Sequence, residues 1–152
     1  MESCDVLAAL EGALLARYPE APVYWNRLPK DFVRPCFTLE CQQVTQADAN
    51  RLLIQREAQA LVTCYTAVDA YGDCDRGELT RRQDEVLELL SQGGLTVGDR
   101  FVSVQAVQAT QSPDYSEISA VFFWMDARPD YCDPEENVPV MEQYELNKTE
   151  MK

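Results

Sequence analysis

The sequence predicts an α+β protein, with a mixed or antiparallel sheet of about four to five strands and two helices packed on one face. Two segments carry apolar residues at helical spacing, and several others alternate between apolar and polar side chains. The helical segments are separated by pairs of strand-like segments, an order typical of helices covering one side of an antiparallel sheet. At 152 residues, the chain fits one such domain, which we place at residues 1–128.

The first helix is predicted over residues 4–17, with Ser3 as its N-cap. Pro19 and Pro22 end this helix because proline cannot continue the helical hydrogen bonding, and residues 23–25 then form a short strand. Apolar residues recur at three- and four-residue spacing and form one buried stripe: Val6, Leu7, Leu10, Ala13 and Leu14.

A long hairpin is predicted next. Residues 36–44 alternate between apolar and polar side chains, as a half-buried strand does, and residues 47–50 supply the turn. Residues 51–68 are ambiguous, because the first half has helical propensity and the second half is β-branched and aromatic. We interpret the whole segment as one long strand that is antiparallel to the preceding one.

The second helix begins at Asp75, which with Glu78 matches a capping box, and it ends at Gly93-Gly94. Its predicted buried stripe consists of Leu79, Val86, Leu87 and Leu90. A second hairpin follows over residues 101–110 and 117–128, joined by a turn at Pro113-Asp114.

The last strand is apolar on both faces. Ile118, Ala120, Phe122 and Trp124 share one face, while Val121, Phe123 and Met125 share the other. Two helices on one side of the sheet leave the second face uncovered. Either a tail or loop covers that face or another subunit does, and we favour the subunit, with Val121, Phe123 and Met125 as candidate interface residues.

The composition changes after Arg128. Residues 129–152 contain three prolines and seven acidic residues, and we expect an acidic, proline-containing C-terminal tail that does not fold alone. Val140 and Tyr144 are the tail residues that we add to the candidate interface, docking on a neighbour.

The residue types argue against catalysis. The chain has no histidine, which excludes Ser-His-Asp and Cys-His pairs and any zinc site with a histidine ligand. Its six cysteines include no C-x-x-C pair, so we expect reduced, partly buried thiols. Asp69, Asp73 and Asp75 lack the ligand spacing of a calcium loop and are interpreted as a turn and a helix cap. We therefore predict no enzyme, no catalytic residue, no metal site and no cofactor.

The net charge argues against binding of nucleic acid. A net charge of −13 repels DNA and RNA, so we expect no specific binding of either. The N-terminal residues lack the basic start and apolar core of a signal peptide, and no apolar run is long enough to span a membrane. We expect a cytosolic-type protein without membrane contact.

Three short motifs resemble a known family. Tyr18-Pro19, then Val23-Tyr24, then Pro35-Cys36-Phe37 follow the first helix and lead into the first long strand. This arrangement resembles the tail terminator family of prophages of Gram-positive bacteria, and the rest of the predicted layout matches over roughly residues 4–128.

The resemblance implies a structural protein of the virion, assembled in the host cytoplasm. Such proteins form a ring, typically a hexamer, on the head-proximal end of the tail tube. The ring ends tube polymerisation and forms the head-tail joint. Its partners would be other copies of itself, the tube protein and a head-completion or neck protein, and DNA would only pass through the lumen.

Two other functions remain open from the residues alone. One is a different head-tail connector or neck protein, because fold does not fix function. The other is a ligand-binding or chaperone-like α+β domain, which a pocket lined by Tyr65, Phe122 and Trp124 would support and a closed core would oppose.

Overall fold

A computed structural model of the chain describes residues 1–129. The elements, in chain order, are α1 (Ser3–Arg17), β1 (Val23–Trp25), β2 (Cys36–Asp48), β3 (Leu53–Tyr65), α2 (Arg76–Leu90), β4 (Gly94–Val97), β5 (Arg100–Gln111) and β6 (Ser116–Ala127). The predicted C-terminal tail lies outside the described residues except for Pro129, and the candidate residues Val140 and Tyr144 lie outside them too.

The α+β class is confirmed, but the predicted number of strands is wrong. The described chain forms one sheet of six strands in the order β1-β2-β3-β6-β5-β4. The sheet is mixed, because β1 pairs with β2 in parallel whereas every other pair is antiparallel. The central strands are β3 and β6, so the last strand of the described chain is fixed on both sides.

The strand that the sequence did not predict is β4. Gly93-Gly94 is read as a helix end, and glycine is rare in strands. In the structure Gly93 has a φ of +87° and turns the chain, and Gly94 then opens the strand. A Cβ atom on Gly94 would lie 2.1 Å from the Val102 carbonyl oxygen and 2.7 Å from the Phe101 ring. Glycine is therefore required where β4 packs under Phe101.

Both helices follow their predicted bounds closely. The N-cap of α1 is Glu2 and not Ser3, because Ser3 already lies in the helix and the Asp5 carboxylate accepts a hydrogen bond from the Glu2 N–H at 2.8 Å. The N-cap of α2 is Asp75, as predicted, and its carboxylate accepts from the Gly77 N–H at 2.9 Å.

The two helices pack on the same face of the sheet. Leu10 of α1, Val86 of α2 and Phe122 of β6 are fully buried in one hydrophobic core. The predicted inward face of β6 is confirmed, since all of its residues are buried: Ile118, Ala120, Phe122 and Trp124. Among the described residues, this arrangement leaves the opposite side of the sheet, called here the outer face, without a helix over it.

The ambiguous segment is a strand, as interpreted. Leu53–Tyr65 pairs with β2 on one side and β6 on the other, and its even-numbered residues from Ala58 to Cys64 are buried. Burial against two neighbouring strands outweighs the helical propensity of residues 55–60.

The cysteines of the described chain are free thiols. Cys36, Cys64 and Cys74 are buried, Cys41 is half-buried and Cys4 is exposed. Burial raises the pKa of Cys36 to about 11 and that of Cys64 to about 12, and the nearby guanidiniums of Arg34 and Arg82 offset only part of this effect. A thiol with such a pKa is mostly protonated at neutral pH and is a poor nucleophile.

We therefore expect strongly selective labelling by a thiol reagent at pH 8. Cys4 should react, while Cys36 and Cys64 should react roughly a thousandfold more slowly because they are buried and protonated. Peptide mapping by mass spectrometry reads each cysteine separately, and a sample unfolded in denaturant gives the control in which all thiols react. Labelling of native Cys64 at the rate of Cys4 would contradict the buried position of β3.

Candidate assembly surface

The outer face of the sheet is mostly polar, with an apolar centre. Cross-strand pairing places Gln59 beside Val121 and places Glu57 and Ser103 beside Phe123. Val121 and Phe123 are half-buried, whereas Met125 is 45% exposed. The structure thus puts Val121, Phe123 and Met125 on one surface, as the alternation of β6 predicts.

Sequence reasoning missed a fourth apolar residue of this surface. Phe101 lies two residues before Ser103 on β5, so its side chain points to the same face as Phe123. Its side chain is 65% exposed. The available signal was the alternation of side chains along β5, in which Phe101 lies next to the buried Val102 and points to the opposite face. That alternation places Phe101 beside Phe123 only once the pairing of β5 with β6 is known. We call Phe101, Val121, Phe123 and Met125 the outer patch.

The charges on the outer face of β2, β3 and β6 have one sign. Cross-strand pairing places Glu40, Glu57 and Glu117 on the outer face of β2, β3 and β6. Among the described residues, these three strands place no lysine or arginine on that face, because Arg56 points to the helix side beside Asp126. A surface of this kind repels a phosphate backbone.

The strand that carries the outer patch is fixed at its C-terminal end by a buried carboxylate. Asp126 is only 8% exposed, and its Oδ2 accepts a hydrogen bond from Trp124 Nε1 at 3.0 Å. Arg56 Nη1 lies 3.4 Å from the same oxygen, and Arg100 Nη1 donates to the other oxygen. The carboxylate joins β3, β5 and β6 at one end of the sheet.

The other end of β6 is held by Arg34, which immediately precedes the Pro35-Cys36-Phe37 motif. Its Nη1 donates to the carbonyl oxygens of Thr66 at 3.1 Å and Asp114 at 3.2 Å. The guanidinium also lies 5.6 Å from the centre of the Phe32 ring and 5.3 Å from that of Tyr65. Three loops from distant parts of the sequence therefore meet on one side chain.

The motifs that carry the family resemblance also meet in space. The rings of Tyr18 and Phe37 lie 5.2 Å apart, and Val23 is the parallel partner of Phe37. Tyr18 is buried and donates its hydroxyl to Glu85 Oε2 at 2.6 Å, and burial together with this carboxylate raises its pKa to about 12. These motifs therefore pack α1 and α2 against β1 and β2, and their role is structural.

The described residues contain no group of three or more cysteine and acidic side chains that could hold a metal ion. Asp69 accepts hydrogen bonds from the N–H groups of Tyr71 and Asp73, and Asp75 caps α2, so this segment is the predicted turn and helix cap. Within the same part of the chain, neither helix has the length and apolar character needed to cross a membrane.

The pocket that would support a ligand-binding domain is closed in the structure. Phe122 is fully buried and Trp124 is 4% exposed, so both belong to the core. The Tyr65 ring packs between Phe32 and Tyr115, with ring centres 6.0 and 5.9 Å away. This observation argues against a ligand-binding domain built around Tyr65, Phe122 and Trp124.

Comparisons with known proteins give one family. No curated protein matches the chain. Solved structures include 26 matching chains, and one of them is 18% identical, covering 88% of this chain and 99% of its own, with a TM-score of 0.42. A TM-score this low does not show that the two chains share a fold. The family described as phage tail terminator protein matches residues 5–125, which is most of the described domain. The chain therefore belongs to the phage tail terminator family and is a structural protein of phage tails.

Proposed function

We propose that this protein caps the head-proximal end of the tail tube as a ring, with six copies as the expected number. The ring ends polymerisation of the tube and forms the joint to a head-completion or neck protein. The protein assembles in the host cytoplasm and remains in the virion, and DNA passes through the lumen without specific binding.

The observation that supports this proposal best is the outer patch. An apolar surface rimmed by polar residues is typical of a contact between subunits, and here the strand beneath it is held at both ends. We assign the outer patch to the contact between this protein and the end of the tail tube. The net charge of −13 is compatible with a passage for DNA, because an acidic wall does not retain the phosphate backbone.

The direct test is negative-stain microscopy of the purified protein mixed with tail tubes of the same phage. Rings at one end of each tube, together with tubes that no longer elongate when tube protein is added, are the expected result. Tubes that keep growing with bare ends would rule the capping function out.

A substitution in the outer patch should weaken capping without unfolding the protein. Phe101→Glu places a charge where we expect an apolar contact, and we expect roughly tenfold or greater loss of tube binding in a sedimentation assay. Tyr71→Glu is the matched control, since Tyr71 is 91% exposed in the loop before α2 and the charge change is the same. Equal binding by the two variants would show that the outer patch is not a contact.

A further inference from the structure

Within the described part of the chain, both edges of the sheet are covered over only part of their length. The short strand β1 pairs with residues 37–39 of β2, and β4 pairs with residues 100–103 of β5. Bulges then interrupt β2 between Cys41 and Gln43 and β5 between Val104 and Ala106. Beyond the bulges, the described sheet leaves two regular segments with one side unpaired, at residues 43–48 and residues 106–111, which we call the open edges.

The open edges lack the features that protect an edge strand. Proteins blunt such edges with lysine, proline or inward-pointing charges, because an unpaired edge pairs readily with another chain. About a quarter of this chain is charged, yet the two open edges read QVTQAD and AVQATQ, with Asp48 as the single charge. Each edge also carries one exposed valine, with Val44 48% and Val107 37% exposed.

The directions of the two open edges suit each other. From β2 through β3 and β6 to β5, every pairing is antiparallel, so β2 and β5 run in opposite directions. When copies stand side by side in the same orientation, β2 of one copy meets β5 of the next as an antiparallel pair. Such a contact joins two different surfaces and can be repeated around a ring, whereas pairing of β2 with β2 would stop at a dimer.

We propose that neighbouring copies join edge to edge, with residues 43–47 of one copy paired to residues 106–110 of the next. This assignment rests on the proposed ring and names the contact that builds it. In this register Val44 lies opposite Ala109, Thr45 opposite Gln108 and Gln46 opposite Val107. Five consecutive residues of each strand are paired without crossing either bulge.

The register follows from the faces of the two strands. Val44 pairs with Ala58 within its own sheet, and Val107 pairs with Ala120, and both partners are buried on the helix side. Val44 and Val107 therefore point to the helix side, and a continuous sheet must keep them on one face. In the proposed register the two valines are diagonal neighbours across the contact, so each covers apolar surface that is exposed in a single copy.

The stagger of this contact is compatible with ring closure. Through the pairs with Ala58 and Phe122, Val44 lies level with Val104 of its own copy. Pairing with Ala109 of the neighbour shifts the strands by about four residues, roughly 13 Å, across four strands spaced about 4.8 Å apart. The resulting tilt of about 35° is at the lower end of the range for closed barrels, roughly 35–45°.

Disulfide cross-linking tests the register. Val44→Cys and Ala109→Cys are combined in a chain that also carries Cys4→Ser and Cys132→Ser, the latter replacing a thiol outside the described residues. Directly opposed residues of an antiparallel pair lie within the Cα distance of a disulfide. After assembly on tail tubes and mild oxidation, a non-reducing gel should show a ladder from dimer to full ring. The cross-linked fraction should be roughly tenfold or more above the control.

The control is Thr45→Cys with Ala109→Cys, whose side chains lie on opposite faces of the proposed sheet. An equal ladder from the control, or dimers from Val44→Cys alone, would overturn the proposed pairing. Rings on tube ends without a ladder would refute the edge contact and leave the capping function standing. A ladder from protein that leaves tube ends bare would support the edge contact and refute capping, and the absence of both would refute both.

Discussion

Replacing Asp126 by alanine is expected to lower the free energy of unfolding by about 3–4 kcal/mol, because partly buried cations are left without their counter-ion. The Asp126 side chain is 10% exposed, while those of Arg56 and Arg100 are 29% and 48% exposed. Water can solvate the exposed half of Arg100. We therefore expect a loss of stability near the lower end of the range for breaking a buried ion pair. The Trp124 N–H also loses its acceptor. Urea denaturation monitored by Trp fluorescence measures the change.

The Asp126 carboxylate should also make the stability of the protein depend on pH. Burial alone would raise the pKa of Asp126, but hydrogen bonds from Trp124 and Arg100, with the adjacent positive charges, outweigh burial and lower it. A lowered pKa in the folded state means that Asp126 contributes its full stabilisation above the unfolded value of about 3.9 and loses it as the pH falls further. The stability difference between the wild type and Asp126→Asn should therefore be constant near pH 6 and shrink below about pH 4.

An exposed carboxylate at the same end of the sheet provides the control. Asp99 lies in the turn between β4 and β5 and is exposed, so Asp99→Asn should leave the stability near pH 6 almost unchanged. If Asp126→Asn shows the wild-type pH profile, the carboxylate is not held by its cations.

Much of the fold could be predicted because it is encoded in local periodicity. The stripe from Val6 to Leu14 and the alternation of β6 each report one face of one element, and both are confirmed. The long strand β3 was predicted despite its helical half, because its β-branched half and the preceding turn favoured a hairpin. The strand β4 was missed because four residues are too few to show an alternation and Gly94 weakens the propensity.

The order of the strands could not be predicted, and the candidate surfaces depend on it. Phe101 joins the outer patch only because β5 pairs with β6, and the open edges exist only because β3 and β6 occupy the centre of the sheet. Local patterns say which side of a strand is buried but not which strand lies beside it. The sequence thus predicted three residues of the outer patch from one strand and could not predict the fourth from another.

The charged clusters were missed for a related reason. Asp126 and Arg56 are 70 residues apart in the chain, and Arg34 and Asp114 are 80 apart. No spacing rule connects such pairs, and a single charged residue in a strand or loop usually indicates exposure to solvent. Only the tertiary structure shows that these residues are partly or fully buried and hold several elements together.

The second large effect is expected from Arg34→Ala, which should lower the free energy of unfolding by about 2–4 kcal/mol. The substitution removes the donor for the carbonyl oxygens of Thr66 and Asp114, and the Thr66 residue is fully buried. It also removes the cation that lies against the Phe32 and Tyr65 rings. Thermal and urea denaturation followed by circular dichroism measure the loss.

Lysine at this position separates charge from geometry. Arg34→Lys keeps the positive charge near Asp114, whose carboxylate lies 3.7 Å from the guanidinium, but one ammonium group cannot reproduce the planar donors that serve two carbonyl groups between two rings. We expect it to restore less than half of the lost stability. Arg27→Ala, at an exposed position of the same loop, should change stability by less than about 0.5 kcal/mol. Full rescue by lysine would mean that Arg34 acts through its charge, and the three loops would then need another explanation for their position at the end of β6.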